Sequence, residues 1–255
     1  MRPWNSVNSA MAKQSTRLDR LLVERGLIPS RQRAEALILA AHVRVNGQVI
    51  TKAGHRVKTD ADIVVHGSDH PFVSRGGLKL AHALEAFQVS AEGLVAMDVG
   101  ASTGGFTDCL LQHGARKVYA VDVGYGQLAW RLRQDPRVVV LERQNIRYLH
   151  REQVPEDIQL VTIDVSFISL KLVVPVLLTF LAPYGRLIAL IKPQFEAGRE
   201  NIGKKGVVRD SQVHAMVCAD IQDFFEKHGL QIIGMVPSPI LGPQGNREFL
   251  LAAHL

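Results

Sequence analysis

The sequence has 255 residues, of which 47% are hydrophobic, which is enough for one domain of ordinary size and a smaller one. No apolar run is long enough to span a membrane, and segment 1–16 lacks the apolar stretch of a secretory signal. Two cysteines, Cys109 and Cys218, are too few for a disulfide framework or a zinc site. We therefore expect a cytoplasmic protein that binds no metal and has a disordered tail over residues 1–16.

The net charge of +6 is concentrated in the amino-terminal third of the chain. Residues 1–70 contain 11 Lys and Arg against 6 Asp and Glu, whereas residues 71–255 contain 19 against 18. A positive field confined to one module is typical of a protein that meets phosphates, but a solvated basic surface has the same composition. Charge alone leaves these two interpretations equal.

The segment from Arg17 to about Val65 predicts a small module of helices and strands. Its elements are a helix over 17–25, a helix over 31–41 that Ser30 can cap, a hairpin through Asn46-Gly47 and a strand over 63–65. Arg31 and Arg33 lie in the first turn of the second helix, where the helix dipole disfavours cations. This cost suggests an anionic partner, although solvated arginines would explain the pattern as well.

This module resembles the RNA-binding domain of ribosomal protein S4. The resemblance lies in Arg17-Leu-Asp-Arg-Leu-Leu-Val-Glu-Arg-Gly26, Ser30-Arg-Gln-Arg-Ala34 and Val43-Arg-Val-Asn-Gly47. It implies that two helices and a small β element present basic side chains to structured RNA, here Arg17, Arg20, Arg31, Arg33 and Arg44. Such contacts give affinity and placement more than sequence reading. We place the module at residues 17–66 and an interdomain linker at residues 67–77.

The stretch Ser74-Arg-Gly-Gly-Leu-Lys79 introduces a helix over 78–87 through two glycines. Lys79 lies in the first turn of this helix, again against the dipole. A surface lysine would explain the residue, but its position just before a nucleotide-binding segment makes it a functional candidate. Arg75 is a candidate for RNA contact.

Residues 95–122 predict a nucleoside-binding βαβ unit. A buried strand over 95–99 leads into Gly100-Ala-Ser-Thr-Gly-Gly-Phe106, a helix over 104–113 and a strand over 117–121 that ends at Asp122. In such units the glycines let the backbone approach the ligand, and the acid accepts hydrogen bonds from ribose hydroxyls. An ordinary tight turn is the alternative, and Asp122 favours the nucleoside site.

The spacing of the glycines indicates the class of cofactor. A dinucleotide site requires G-x-G-x-x-G, whereas Ser102 occupies the place of the second glycine. This disfavours a nicotinamide dehydrogenase and favours a nucleoside without phosphates, such as S-adenosylmethionine, with its carboxylate at the helix N-terminus. The predicted cofactor-binding residues are Gly100, Ser102, Thr103, Gly104, Gly105, Phe106, Asp122, Asn145 and Asp164.

The rest of the chain continues the alternation of strands and helices. Strands are predicted over 137–141, 158–163 and 186–191, a helix begins near Ser169, an amphipathic helix covers 212–228, and strands over 230–236 and 247–253 close the chain. The last two strands suit the antiparallel edge of an otherwise parallel sheet. The loop 198–209 carries Lys204 and Lys205, which could grip RNA or simply be solvated.

Two lysines and two carboxylates are expected to converge at one edge of this sheet. Asp164 and Lys192 follow strand ends, where ligands of open parallel sheets bind, and Glu248 and Lys79 can reach the same region. Paired acids could hold the lysines, and a lysine beside a ribose 2′-OH could favour its deprotonated form, which would attack a methyl group on a sulfonium. Four unrelated surface charges are the alternative.

Residues 79–255 resemble the FtsJ-type ribose 2′-O-methyltransferases, whose catalytic set is Lys-Asp-Lys-Glu. The matching motifs are Ser74-Arg-Gly-Gly-Leu-Lys79, Asp164-Val-Ser-Phe-Ile-Ser-Leu170, Lys192-Pro-Gln-Phe-Glu196 and Gly245-Asn-Arg-Glu-Phe249. The resemblance implies that Lys79, Asp164, Lys192 and Glu248 are the catalytic residues. It also implies a Rossmann-like class I methyltransferase domain over 78–255, with a seven-stranded, mostly parallel sheet and S-adenosylmethionine as cofactor.

From Arg17 onward the whole chain is similar to the TlyA (haemolysin A) family of ribosomal RNA cytidine 2′-O-methyltransferases. This similarity rests on residues 98–107 and on Asp122-Val-Gly-Tyr-Gly-Gln-Leu-Ala-Trp130. It implies that the partner is ribosomal RNA or a ribosomal subunit. A non-catalytic RNA-binding or assembly factor and a membrane-lytic protein are the alternatives, the latter disfavoured because no membrane-spanning element is predicted.

Overall fold

The computed structural model describes residues 15–28, 30–65 and 70–255. Contacts divide the chain into two units, one within residues 1–69 and one over residues 70–255. Of the tail predicted to be disordered, residues 1–14 lie outside the described residues, and Ser15 and Thr16 begin the first strand. None of the helices within the described ranges is long and apolar enough to cross a bilayer.

In the first unit, the described residues form two helices and five short strands. They are β1 (Ser15–Arg17), α1 (Leu18–Glu24), α2 (Arg31–Leu39), β2 (Val43–Val45), β3 (Gln48–Val49), β4 (Arg56–Lys58) and β5 (Ile63–Val65). Strand β1 pairs with β4, and β2 lies between β3 and β5, all antiparallel. Asn46 (φ 48°) and Gly47 (φ 80°) adopt the left-handed conformations that a two-residue hairpin turn requires.

The second unit is built on one sheet of seven strands with helices on both faces. Its helices are α3 (Gly76–Ala86), α4 (Gly105–Gln112), α5 (Trp130–Arg133), α6 (Val174–Leu177), α7 (Pro193–Glu196) and α8 (Ser211–Lys227). Its strands are β6 (Val95–Val99), β7 (Lys117–Val121), β8 (Val138–Leu141), β9 (Ile158–Ile163), β10 (Leu181–Ile191), β11 (Gln231–Pro237) and β12 (Phe249–His254).

The strand order is β11-β12-β10-β9-β6-β7-β8. Five strands are parallel, and β12 runs antiparallel to both of its neighbours, β10 and β11. The seven-stranded, mostly parallel sheet with an antiparallel edge is therefore confirmed. The chain reverses its direction of winding between β6 and β9, so a crevice forms beyond the carboxyl ends of these two strands.

The sheet is buried on both faces, as the continuous apolar strands predicted. All five residues of β6 are buried. On one face, Leu80 of α3 and Leu110 of α4 pack against Ala96 and Leu160, and on the other Val217 and Phe225 of α8 belong to the same cluster as Met97 and Val161. This double layer leaves the strand ends as the polar edge of the sheet.

Three predictions differ from the structure by more than two residues. The linker predicted over 67–77 does not extend that far, because Phe72 is buried in the second unit and α3 begins at Gly76; residues 67–69 lie outside the described ranges. The helix predicted near Ser169 is split into a 3-10 turn, Leu170–Leu172, and α6, since Pro175 lacks the amide hydrogen that would continue it. Strand β10 begins at Leu181, with an irregular register before Arg186.

Candidate active site

Two cavities meet at the crevice between β6 and β9. The larger has a volume of about 910 Å³ and the smaller about 310 Å³. Both are lined by Gly100, Ser102, Asp164 and Ser166. The larger volume is typical of a small-molecule site. The two cavities therefore share a wall that includes Asp164.

Asp122 lines the larger cavity at the end of β7. Its carboxylate accepts hydrogen bonds from the backbone N–H groups of Ser102 (2.7 Å) and Gly124 (2.6 Å). A carboxylate has about four acceptor sites, so two bonds to the backbone orient the group and leave acceptor capacity toward the cavity. This geometry fits the hydroxyls of a ribose and supports the role that the sequence suggested.

The wall beyond β8 is polar and includes Gln144, Asn145 and Arg147. Asn145 does reach the larger cavity as predicted, but its side-chain oxygen accepts a hydrogen bond from the backbone N–H of Arg147 (3.1 Å). The oxygen therefore caps the 3-10 turn Ile146–Tyr148. The side chain is fixed by the turn that follows it.

The glycines of the first turn serve protein packing more than ligand approach. At Gly104 (φ 97°) an added Cβ would lie 2.3 Å from Leu132 Cδ1, and at Gly105 it would lie 2.9 Å from the backbone nitrogen of Gly77. Gly104 and Thr103 line neither of the two cavities, whereas Gly105 and Phe106 line the smaller one. The glycines thus allow α4 to pack tightly against α5 and the start of α3.

Lys79 and Glu248 form a buried ion pair in the smaller cavity. Lys79 Nζ lies 2.5 Å from Glu248 Oε2, and the two side chains are 7% and 0% exposed. The lysine comes from the first turn of α3 and the carboxylate from the residue before β12. Two residues that are 169 positions apart in the sequence are therefore joined at the site.

Lys192 and Asp164 form a second ion pair, also in the smaller cavity. Lys192 Nζ lies 2.5 Å from Asp164 Oδ1 and donates a hydrogen bond to Ser166 Oγ (3.0 Å). Lys79, Asp164, Lys192 and Glu248 all line the same 310 Å³ cavity. The structure thus brings together the four residues that the sequence suggested as a catalytic set, as two charge-balanced pairs.

Asp98 is a buried acid to which the sequence reasoning gave no role. Its carboxylate lies beneath the first turn and accepts hydrogen bonds from the hydroxyls of Thr107 (2.6 Å) and Thr162 (3.4 Å). Burial, assisted by the nearby charge of Asp164, raises the pKa of Asp98 to about 7, against the lowering effect of the Thr107 hydrogen bond. The sequence contains one signal of this buried acid, because Asp98 is the charged residue inside the apolar strand Val95-Ala-Met-Asp-Val99.

In the first unit, two of the predicted RNA-binding arginines are engaged by an internal acid. Asp19 is fully buried and lies 2.9 Å from the guanidinium groups of both Arg17 and Arg31. Hydrogen bonds from Arg17 hold the pKa of Asp19 well below its usual range. An anionic partner is therefore not needed to explain Arg31 at a helix N-terminus, because Asp19 supplies the compensating charge.

The remaining RNA-binding candidates lie at the surface of their own unit. Arg20 pairs with Glu24 (3.2 Å), and Arg33 and Arg44 are exposed. In the second unit, Arg75 is exposed at the smaller cavity, and Lys205 is exposed in the 3-10 turn Lys204–Gly206. The side chain of Lys204 lies outside the described part of the structure.

The chain matches two families and several known proteins. Residues 72–255 match the FtsJ-like methyltransferase family, and residues 16–63 match the S4 domain. The protein YqxC of Bacillus subtilis is 51% identical over 245 residues, which cover 96% of this chain and 87% of that protein. The 16S/23S rRNA (cytidine-2'-O)-methyltransferase TlyA of Mycobacterium tuberculosis is 46% identical over 242 residues, covering 94% of this chain and 90% of TlyA.

A solved structure gives the same relationship. A Streptococcus thermophilus protein that bears a hemolysin name is 43% identical, with a TM-score of 0.75 over 95% of this chain and 89% of that one. The match thus extends through both units of the chain. The chain belongs to the TlyA family of FtsJ-like methyltransferases and carries an S4 domain before its methyltransferase domain.

Proposed function

We propose that this chain transfers a methyl group from S-adenosylmethionine to the 2′-OH of a cytidine in ribosomal RNA. The observation that carries the proposal is the meeting of Lys79, Asp164, Lys192 and Glu248 in one cavity beside a larger cavity. The name of the Mycobacterium tuberculosis relative supports the choice of rRNA cytidine as the substrate.

The larger cavity fits the cofactor. The oriented carboxylate of Asp122 would bind the ribose hydroxyls, the polar wall at Asn145 would face the adenine, and Gly100 and Ser102 would border the methionine part. When bound, S-adenosylmethionine supplies a methyl group on a positively charged sulfur. Asp164 lines both cavities, so it marks the side from which the methyl group would be presented to the RNA.

The smaller cavity would hold the ribose that accepts the methyl group. Lys192 Nζ, fixed by Asp164 and Ser166, would donate a hydrogen bond to the 2′ oxygen and stabilise the negative charge that grows there as the hydroxyl proton is lost. Lys79, fixed by Glu248, would hold the sugar from the other side. The 2′ oxygen would form its new C–O bond as the methyl group leaves the sulfur, which would keep the electron pair of the broken C–S bond, and the hydroxyl proton would pass to water. Precise placement of the oxygen would therefore be the main requirement.

The first unit would dock the enzyme on folded rRNA. We assign this role to residues 17–66, and the exposed Arg33 and Arg44 support it, because phosphate contacts place a protein on RNA with little sequence reading. The reaction would take place in the cytoplasm, where the two free cysteines would stay reduced.

Substitution of Lys192 tests the proposed chemistry. We expect Lys192→Ala to lower the rate of rRNA methylation by about 10²–10³-fold or more, as for the loss of an oxyanion donor, while S-adenosylmethionine still binds. Single-turnover methylation assays and calorimetric titration with S-adenosylmethionine measure the two quantities. Lys171→Ala, which removes an exposed lysine paired with Asp220, is the matched control.

Near-normal turnover by Lys192→Ala would reject the assigned role. RNA binding by the unsubstituted protein without methylation of any rRNA would instead favour a non-catalytic assembly factor. Mapping of 2′-O-methyl groups on rRNA from cells with and without the gene identifies the target nucleotide.

A further inference from the structure

The segment Lys192–Glu196 runs alongside the loop 165–170, and three successive contacts join them. Lys192 Nζ donates to Ser166 Oγ (3.0 Å), and the rings of Phe195 and Phe167 lie 5.0 Å apart between centroids. The carboxylate of Glu196 then accepts two hydrogen bonds, from Ser169 Oγ (2.5 Å) and from the backbone N–H of Leu170 (2.8 Å). The contacts follow the same order in both segments, so the segment fastens the loop along its length.

The 165–170 loop borders the larger cavity, and its own contacts with the core come from Leu170, which is buried, and from Val165 and Ile168, which are partly buried. Five of its residues, Val165 to Ser169, line that cavity. Phe167 is 90% exposed and has a φ of 64°, a left-handed conformation that a bulky residue adopts only when its surroundings impose it. The left-handed conformation at Phe167 therefore depends on contacts that hold the loop on either side of this residue.

Glu196 is the strongest of these attachments. Its carboxylate binds the hydroxyl of Ser169 and the first free backbone N–H of the 3-10 turn Leu170–Leu172, so it fixes the point where the loop ends. Burial raises the pKa of Glu196, and the two hydrogen bonds oppose that effect.

We propose that Glu196 is a positioning residue that shapes the cofactor cavity by fixing the 165–170 loop. Through the same loop it keeps Ser166 against Lys192. This inference rests on the proposed function, since it assigns S-adenosylmethionine to the larger cavity. Loss of the Glu196 carboxylate should therefore act mainly on cofactor affinity, whereas loss of Lys192 should act mainly on turnover.

The full-length protein with Glu196→Ala provides the test. We expect the Kd for S-adenosylmethionine, measured by calorimetry without RNA, to rise about tenfold or more, with a turnover rate at saturating cofactor that falls by a smaller factor. Glu196→Gln keeps one acceptor and should restore most of the affinity. Asp223→Asn, which removes an exposed carboxylate paired with Lys227 on α8, is the matched control and should leave the Kd unchanged.

A second variant keeps the proposal falsifiable if Glu196→Ala does not fold. Ser169→Ala removes one of the two hydrogen bonds by deleting the donor instead of the Glu196 carboxylate. The Kd of this variant for S-adenosylmethionine should rise by a smaller factor. An unchanged Kd in folded Glu196→Ala, or in Ser169→Ala where the first variant is unfolded, overturns the proposal. A fall in turnover alone, with normal cofactor affinity, overturns it as well.

Amide hydrogen exchange separates this inference from the proposed function. The N–H of Leu170 should exchange faster in Glu196→Ala than in the unsubstituted protein, with no ligand present. If the unsubstituted protein fails to bind S-adenosylmethionine, the cofactor assignment fails, whereas the exchange of Leu170 still reports whether Glu196 holds the loop.

Discussion

At the scale of single residues, the site depends on charges that are kept away from water. The side chains of Glu248 and Lys192 are 0% and 8% exposed, and each is compensated by a partner of opposite charge at 2.5 Å. Removal of one partner from such a pair leaves an uncompensated buried charge and is strongly destabilising. When a variant of these residues loses activity, its folding must therefore be measured as well, so that a lost catalytic role can be told from unfolding.

Asp98 is the buried acid whose protonation should be visible in the stability of the second unit. In the unfolded chain its pKa is near 3.8, whereas the folded value is about 7. Between these values the folded state binds more protons than the unfolded state, so the free energy of unfolding falls as the pH rises through this window. Well above pH 7, the stabilisation that the protonated Asp98 gives to the folded state is lost.

Asp98→Asn should remove this dependence. From pH 5 to pH 8 we expect the free energy of unfolding to fall by about 3 kcal/mol more in the unsubstituted protein than in the variant, because it changes by about 1.4 kcal/mol for each pH unit between pH 5 and the folded pKa. Urea unfolding at the two pH values measures the difference. Equal slopes in the two proteins would show that Asp98 does not change its protonation on folding.

At the scale of elements, the site depends on how closely strand ends and helix starts approach each other. Gly100 has a φ of 87°, and an added Cβ would lie 2.6 Å from the carbonyl oxygen of Asp164. The first turn therefore rests directly on the backbone of the residue that pairs with Lys192. A side chain at this position must displace the end of β9.

Gly100→Ala should disturb the site more than left-handed strain alone explains. The strain costs about 1–2 kcal/mol, and the displacement of Asp164 should add a loss of cofactor affinity and of methyl transfer. Gly93→Ala is the matched control, because Gly93 has a φ of 70° and its Cβ would meet no atom within 4 Å. Thermal unfolding measures the stability of both variants, and titration with S-adenosylmethionine measures their cofactor affinity. Equal cofactor affinities of Gly100→Ala and Gly93→Ala would contradict the role of the close contact.

At the scale of the whole molecule, charge and chemistry belong to different parts of the chain. Most of the net charge lies in residues 1–70, whereas the four proposed catalytic side chains all come from residues 79–248 and balance one another. The methyltransferase domain can therefore remain close to neutral while the S4 domain supplies electrostatic attraction to RNA. Affinity for rRNA and the rate of methyl transfer should accordingly respond to different substitutions.

The affinity for rRNA should fall steeply with salt, and Arg33 and Arg44, two of the exposed arginines of the S4 domain, should contribute to the slope. Arg33→Ala and Arg44→Ala are each expected to reduce the slope of log K against log salt by about 1, the value for one phosphate contact. Filter-binding or fluorescence titrations between low and physiological salt measure it. Lys227→Ala, in which a lysine paired with Asp223 is lost from α8, should leave the slope unchanged. A flat salt dependence of the unsubstituted protein would remove the docking role.

The local sequence was sufficient for most elements of the second unit, but it did not predict β1 and β4 of the first unit. Apolar runs gave β6, β7 and β9 with their exact bounds, because a strand buried on both faces needs a continuous apolar sequence. The positions of Asp122, Asp164 and Lys192 at strand ends placed them at the ligand edge of a parallel sheet. Lys79 and Glu248 were expected to reach the same region from their places in the chain, and the motif resemblance then assigned all four residues to a catalytic set.

Only the tertiary structure decided how these residues are paired and what holds them. It placed Lys79 with Glu248 and Lys192 with Asp164, engaged Arg17 and Arg31 with Asp19, and fastened the 165–170 loop through Glu196. Such contacts join residues far apart in the chain, and they depend on burial and on distances of a few ångströms. Spacing along the sequence carries information on local backbone conformation, whereas the choice of charge partner is made only when the packed layers fix which side chains share the same low-dielectric space.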